Sequence, residues 1–180
     1  MTTTNKISPQ TPSQTIGPYF AYGLTPEQYG YNFKSWVDNK MVDPSKNLNT
    51  ITIYGKVYDG KGNAINDAMI ELWQNDGETK LFGRYGTGSD ESNQFSFLTI
   101  KPNSVDGQAP YINVIVYMRG QLLHSYTRIY FSDEELNNSD ITLKSIPKER
   151  QHTIIANKTS DGYEFNIYMQ GLKETVFFKI

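Results

Sequence analysis

Two charged residues sit where their chemistry needs an explanation. Arg119 closes the most apolar stretch of the chain, "INVIVYMRG", immediately before a glycine. A guanidinium there must reach water, pair with an acid or meet an anion. Glu71 lies between Ile70 and Leu72 in "AMIELWQ" and poses the same question with opposite sign. It either faces outward or pairs with an arginine, Arg84 or Arg128. The two histidines, His124 and His152, stand apart, each beside a predicted strand, and read as surface or packed side chains rather than ligands or a base. Glu71, Asp76, Asp90 and Asp133 have neither the spacing of a calcium loop nor that of a glycosidase pair. No nucleophile elbow, P-loop or dinucleotide fingerprint occurs. "DGKGN", residues 59–63, has the composition of a phosphate loop but lies between two strands and opens no helix, so it reads as a hairpin turn. The chain has no cysteine, which removes disulfides, thiolate zinc sites and thiol nucleophiles together.

The elements that must carry these residues are strands. "TITIYGKVYDG" alternates, with Ile51, Ile53, Gly55 and Val57 on one side and Thr52, Tyr54, Lys56 and Tyr58 on the other. "AMIELWQ" puts Met69, Glu71 and Trp73 on one face and Ile70, Leu72 and Gln74 on the other. "QFSFLTI", "YINVIVYM", "SYTRIYF", "HTIIAN", "YEFNIYMQ" and "ETVFFKI" follow, all short, β-branched or aromatic, and separated by Gly, Asn, Asp or Pro. The pattern predicts a mainly β protein, an antiparallel β-sandwich over residues 49–180 with one or two short helices. Ser132 and Glu135 in "SDEEL" have capping-box spacing and predict one short helix start. Ahead of the sandwich, residues 1–48 form a second region. Its first 23 or so residues read as an extended arm, since Pro9, Pro12 and Pro18 each remove a donor and disfavour helix before them. "TPEQYGYNFKSWVDNK" reads as a short helix or turns with aromatic anchors.

A chain of 180 residues is long enough for one domain with a real core. Its net charge of −2 argues against a general nucleic-acid binder. "MTTTNKIS" lacks an apolar signal core, and no run approaches the roughly 20 apolar residues of a membrane span. Together with the absence of cysteine this predicts a cytoplasmic protein and makes the two sequons at Asn137 and Asn157 chance occurrences.

Several motifs together carry a resemblance. "TPSQTIGPYF", "GKVYDGKGNAINDAMIELWQ", "FGRYGT", "FLTIKP", "APYIN", "TRIYF" and "QGLKETVFF" occur in the order and spacing of the intradiol ring-cleaving dioxygenases, from about Thr11 to the C-terminus. Within that family the chain is most similar to the alpha chains that pair with an iron-bearing beta chain. The resemblance implies a β-sandwich and a subunit role in O2-dependent cleavage of 3,4-dihydroxybenzoate between its two hydroxyl-bearing carbons, giving 3-carboxy-cis,cis-muconate. The cofactor it implies is Fe(III), held by two tyrosines and two histidines, hard donors suited to a ferric ion.

The ligands implied by the resemblance are not at their matching positions. The His-x-His of iron-bearing chains falls on Tyr111-Ile112-Asn113, "TIKPNSVDG" holds no tyrosine, and the loop after "WQ" is short, with Tyr85 inside a later motif. The resemblance therefore implies no metal ligand and no catalytic residue in this chain, with the iron on the partner beta chain and a higher-order hetero-oligomer as the assembly. What it implies for this chain is a substrate-binding contribution from Thr15, Gly17, Pro18 and Tyr19 of the arm and from Arg119 of "YMRG". A tyrosine can donate to or pack against an aromatic acid, glycine permits close backbone approach, and arginine supplies positive potential or holds the wall. Two other readings remain open at this stage. One is a catalytically silent sandwich acting as a binding module. The other is an independent intradiol enzyme with rearranged ligands.

Overall fold

A computed structural model of the protein describes residues 19–46, 49–88 and 91–179. Six long strands build the body: β1 (Thr50–Tyr58), β2 (Met69–Asn75), β3 (Lys80–Gly86), β4 (Gln94–Ile100), β5 (Tyr111–Tyr117) and β6 (Ser125–Phe131). Three short ones follow: β7 (Ile155–Lys158), β8 (Tyr163–Glu164) and β9 (Ile167–Tyr168). One layer has the order β3-β2-β5-β6 and is antiparallel throughout. The other holds β4, β1 and β8, with β9 also on β1. β7 pairs with both β6 and β8 and joins the layers along one edge.

The period of two explains the core. On β1 and β4, Ile53, Val57, Phe95 and Phe97 are fully buried; so are Ile70, Leu72, Ile112, Val114 and Val116 of the facing layer. All nine belong to one apolar cluster between the layers. A second cluster of Ala109, Tyr130, Leu143, Ile146 and Ile154 lies against β6. It is covered by the short helices α2 (Ile141–Ser145) and α3 (Lys148–Gln151), which follow α1 (Tyr19–Leu24) in chain order. Asp140 caps α2, accepting from Leu143 N–H at 2.9 Å, while its other oxygen accepts from Ala109 N–H at 2.9 Å. Single 3-10 turns occupy Pro26–Tyr29, Pro44–Lys46, Glu135–Asn138 and His152–Ile154. No helix among the described residues is long and apolar enough to cross a membrane.

The structure corrects several local expectations. The arm does not stay extended to residue 23, because Tyr19–Leu24 is helical; residues 1–18 lie outside the described residues. Ser132 caps nothing: its N–H donates to Ala156 O, its hydroxyl accepts from Lys158 N–H, and the turn at 135–138 is capped by Glu134 instead. The "DGKGN" loop does not join β1 to β2 as a hairpin. The chain folds back only as far as the Tyr58–Ala64 bridge, then crosses to the other layer. Asp59 takes the N–H groups of Lys61 and Asn63 with its own carboxylate, so the loop presents nothing to a phosphate.

Three terminal strand expectations also change. In "HTIIAN" the first three residues form a 3-10 turn and only the rest enters β7. "YEFNIYMQ" is split, because Asn166 Oδ1 takes the Lys56 N–H at 3.0 Å and interrupts the parallel ladder on β1. "ETVFFKI" is not a strand. Its backbone forms no ladder: single bonds to Gly171, Tyr168 and Tyr126 alternate with bonds to side chains, Val176 N–H to Thr153 Oγ1, Val176 O from Thr127 Oγ1 and Glu174 O from Arg150. Three pairings between described strands are parallel, at β1–β8, β1–β9 and β6–β7, as is the isolated Lys40–Leu98 bridge.

Candidate functional site

An open cleft of about 780 Å³ lies where the root of the arm meets the β5–β6 turn. Its walls include Tyr22, Gln28, Tyr29, Asn66, Asp67 and Arg119. The arm root is an aromatic ladder: Tyr22 meets Tyr29 edge-on at 4.6 Å and Tyr31 at 6.1 Å, and Tyr31 meets Phe33 at 5.7 Å. This ladder replaces an apolar core for a segment too short to bury one. It leaves Phe33 half exposed and Trp36 completely exposed. Burial, followed by the charge of Asp67 and the nearby Tyr22, pushes the Tyr29 phenol above its ordinary pKa.

Arg119 stands on the turn after β5, where Gln121 accepts from Met118 N–H at 3.0 Å and donates to Ser125 Oγ at 2.6 Å. Its Nε lies 2.9 Å from Asp67 Oδ2. The arginine side chain is 67% exposed and that of Asp67 only 12%. The backbone next to Asp67 is held: Ala68 N–H donates to Thr87 Oγ1 at 3.1 Å, and Thr87 N–H donates to Ala68 O at 2.8 Å. Gly88 is required beside it, since a Cβ there would stand 2.2 Å from Asn66 O. Two buried acceptors on this cleft, Asp67 Oδ1 and Gln28 Oε1, have no hydrogen-bond partner among the described residues. Glu91 also lines the cleft.

Of the residues expected to bind substrate, Arg119 is on this cleft. Tyr19 is the first residue of α1, three residues before Tyr22 on the cleft wall. Thr15, Gly17 and Pro18 lie outside the described residues. Sequence reasoning missed Asp67, Tyr22 and Tyr29. Asp67 sits in "AINDAMIE" with no local signal; only its approach to Arg119 across the fold marks it.

The other expected chemistry is accounted for. Glu71 pairs with Arg84, not Arg128: Arg84 Nη2 and Nε lie 2.7 and 2.8 Å from Glu71 Oε1, and Trp73 Nε1 donates to Oε2 at 3.1 Å. Both histidines are exposed. Asp76 is saturated by the N–H groups of Glu78, Thr79 and Asn103. A cleft of about 690 Å³ beside α2 and α3 is lined by amides, aliphatic side chains, Lys144 and Lys148, without acid or histidine.

Tyr111 and Asn113, the positions matching the family's histidines, share the outer face of β5. The Arg128 guanidinium lies 4.0 Å above the Tyr111 ring, with Phe178 at 5.7 Å. It makes long contacts to the hydroxyls of Tyr130 and Thr142, at 3.4 and 3.3 Å, and Asn113 Oδ1 is buried with no hydrogen-bond partner among the described residues. Tyr111 and Tyr130 carry phenols of the kind that binds a ferric ion, but the Arg128 cation lies against both and Asn113 offers a carboxamide in place of an imidazole, so these residues do not fit an iron ion. No group of three His, Cys, Asp or Glu that could hold a metal occurs among the described residues.

No family model matches the chain. It is 42% identical over 192 residues to the protocatechuate 3,4-dioxygenase alpha chain of Burkholderia cepacia, covering 95% of this chain and 98% of that protein. It is 34% identical over 197 residues to the alpha chain of the same name from Pseudomonas putida, covering 96% and 98%. Among solved structures, the dioxygenase domain of a dioxygenase carbohydrate-binding fusion from Streptomyces sp. SirexAA-E matches with a TM-score of 0.58 and 21% identity over 77% of this chain and 91% of that one. Catechol 1,2-dioxygenase from Pseudomonas arvilla C-1 matches with a TM-score of 0.54 and 15% identity, over 72% and 54%. These two share the fold; the near-full-length identity to the first pair goes further, and the chain belongs to the family of protocatechuate 3,4-dioxygenase alpha chains.

Proposed function

We propose that this chain is the metal-free alpha subunit of a protocatechuate 3,4-dioxygenase, working in a hetero-oligomer with a beta chain that carries Fe(III). The complex opens the ring of 3,4-dihydroxybenzoate between its hydroxyl-bearing carbons with O2. In this reading residues 1–48 pack on the partner, and Thr15, Gly17, Pro18, Tyr19 and Arg119 line the shared pocket. The observation that carries it is the cleft at the arm root, where an exposed guanidinium is held beside the segment that leads into the arm. Such a placement suits an anionic aromatic substrate arriving at a subunit boundary. The silent binding module is not favoured, because the chain's relatives over nearly its full length are dioxygenase subunits.

The test is expression of the chain alone and together with its beta chain, followed by iron analysis and O2-dependent consumption of 3,4-dihydroxybenzoate. Alone, the chain is expected to be colourless, iron-free and inactive; co-assembly restores turnover. Stoichiometric iron with turnover from the isolated chain would mean an independent enzyme and end this reading.

A further inference from the structure

Arg119 is a long side chain on a turn, and exposed arginines of this kind sample many rotamers. Its shortest approach to Asp67 runs through Nε, the nitrogen nearest the chain, at 2.9 Å. No hydrogen bond of its terminal nitrogens appears among the described residues, and two-thirds of the side chain is in solvent. Asp67, by contrast, is nearly buried, and the backbone of Ala68 beside it is fixed by Thr87. No other cation forms an ion pair with Asp67 among the described residues, and its second oxygen is unpartnered. A rigid acid thus grips a mobile cation at its base and leaves the planar fork free to meet a carboxylate in two parallel contacts.

From this geometry we infer that Asp67 is a positioning residue, which fixes the Arg119 fork toward the carboxylate of the aromatic substrate and so sets the preference for a carboxylated over an uncharged ring. The inference rests on the proposed pocket role of Arg119. Two opposing effects are separable. Asp67 adds a negative charge that repels an anion, and it also removes the freedom of the fork. Positioning predicts that neutralising Asp67 weakens binding of the anionic substrate; simple charge repulsion predicts that it strengthens it. Among the described residues Glu91 is the other acid lining this cleft and forms no ion pair with Arg119, so it supplies background potential.

The experiment uses the assembled complex with its beta chain and compares 3,4-dihydroxybenzoate with catechol, the same ring without the carboxylate. Asp67→Asn is expected to raise KM for 3,4-dihydroxybenzoate roughly threefold to tenfold, with kcat nearly unchanged and the constants for catechol unmoved. Asp67→Glu restores part of the loss, and Asp67→Asn adds nothing in an Arg119→Gln background. Arg119→Lys keeps the charge but loses the Nε grip, so it behaves like Asp67→Asn and serves as the probe should that variant fail to assemble. If Arg119→Gln shifts KM for the acid while Asp67→Asn leaves or lowers it, or if Arg119→Lys keeps the wild-type KM, positioning by Asp67 is overturned and the pocket role of Arg119 survives. If Arg119→Gln leaves the acid-to-catechol preference unchanged, the pocket role itself fails.

Discussion

Glu71 and Arg84 face one another across the β2–β3 ladder, with the acid 5% exposed. Burial, then the Glu71 charge, pushes the neighbouring Tyr117 phenol above its ordinary pKa. Truncating the acid strands the guanidinium and the Trp73 N–H, both of which it now satisfies. Glu71→Ala is therefore expected to destabilise the chain by about 3 kcal/mol, read as a lower urea midpoint at unchanged slope. A result within about 0.5 kcal/mol, the range of ordinary surface changes, would show that the pair is solvated in solution. The sequence posed this question and left two arginines as candidates. Register decides between them, and register is invisible without β3, whose "KLFGRYG" is broken by a glycine and shows no clean alternation. Arg119 was legible as an unexplained charge, while Asp67 was not, since its meaning comes entirely from a contact between residues far apart in the chain.

Among the elements, β4, β6, β7 and β8 are tied by one carboxylate just beyond β6. Burial works to raise the Asp133 pKa, but hydrogen bonds from Lys158, Lys101 and Tyr163 outweigh it and hold the group at about 2, against an ordinary 3.8. A folded value below the unfolded one gives stability that is present above about pH 4 and lost as pH falls from 4 toward 2. After allowance for solvent screening, Asp133→Asn should cost about 1–2 kcal/mol at pH 7. The gap to wild type should close by pH 2–3, as urea titrations at several pH values will show; a gap independent of pH removes the ionic explanation. A second device is Gly55. A Cβ there would lie 1.8 Å from Phe165 O, so Gly55→Ala must push β8 and β9 off β1. Hydrogen exchange should then lose protection at Phe165 N–H, which donates to Tyr54 O at 2.8 Å, before the β2–β5 ladder is affected. The strands legible in the sequence were those with a clean period of two against a single core. The tail "ETVFFKI" has the composition of a strand but makes only isolated backbone bonds to β9 and β6, with threonine hydroxyls and an arginine taking the groups between them.

At the scale of the whole molecule, the central apolar cluster among the described residues begins at Met41. Deleting residues 1–19 should leave the thermal transition of the isolated chain within a few degrees of wild type. In the assembled enzyme the same deletion should lower kcat/KM for 3,4-dihydroxybenzoate, and unchanged kinetics would remove the arm from the pocket.

The chain has two tryptophans, and the fold sets them in unlike surroundings. Trp36 is wholly in solvent at the end of the arm-root ladder, whereas Trp73 packs 4.2 Å from Phe82 and donates to Glu71. The molecule therefore carries two optical reporters of different events. Emission from Trp36 should shift to the blue when a partner covers the arm root, and that from Trp73, which packs on Phe82, should change when the β2–β3 ladder opens. With Trp36→Phe and Trp73→Phe variants, subunit docking and sandwich unfolding can be timed separately in one cuvette, without an added label.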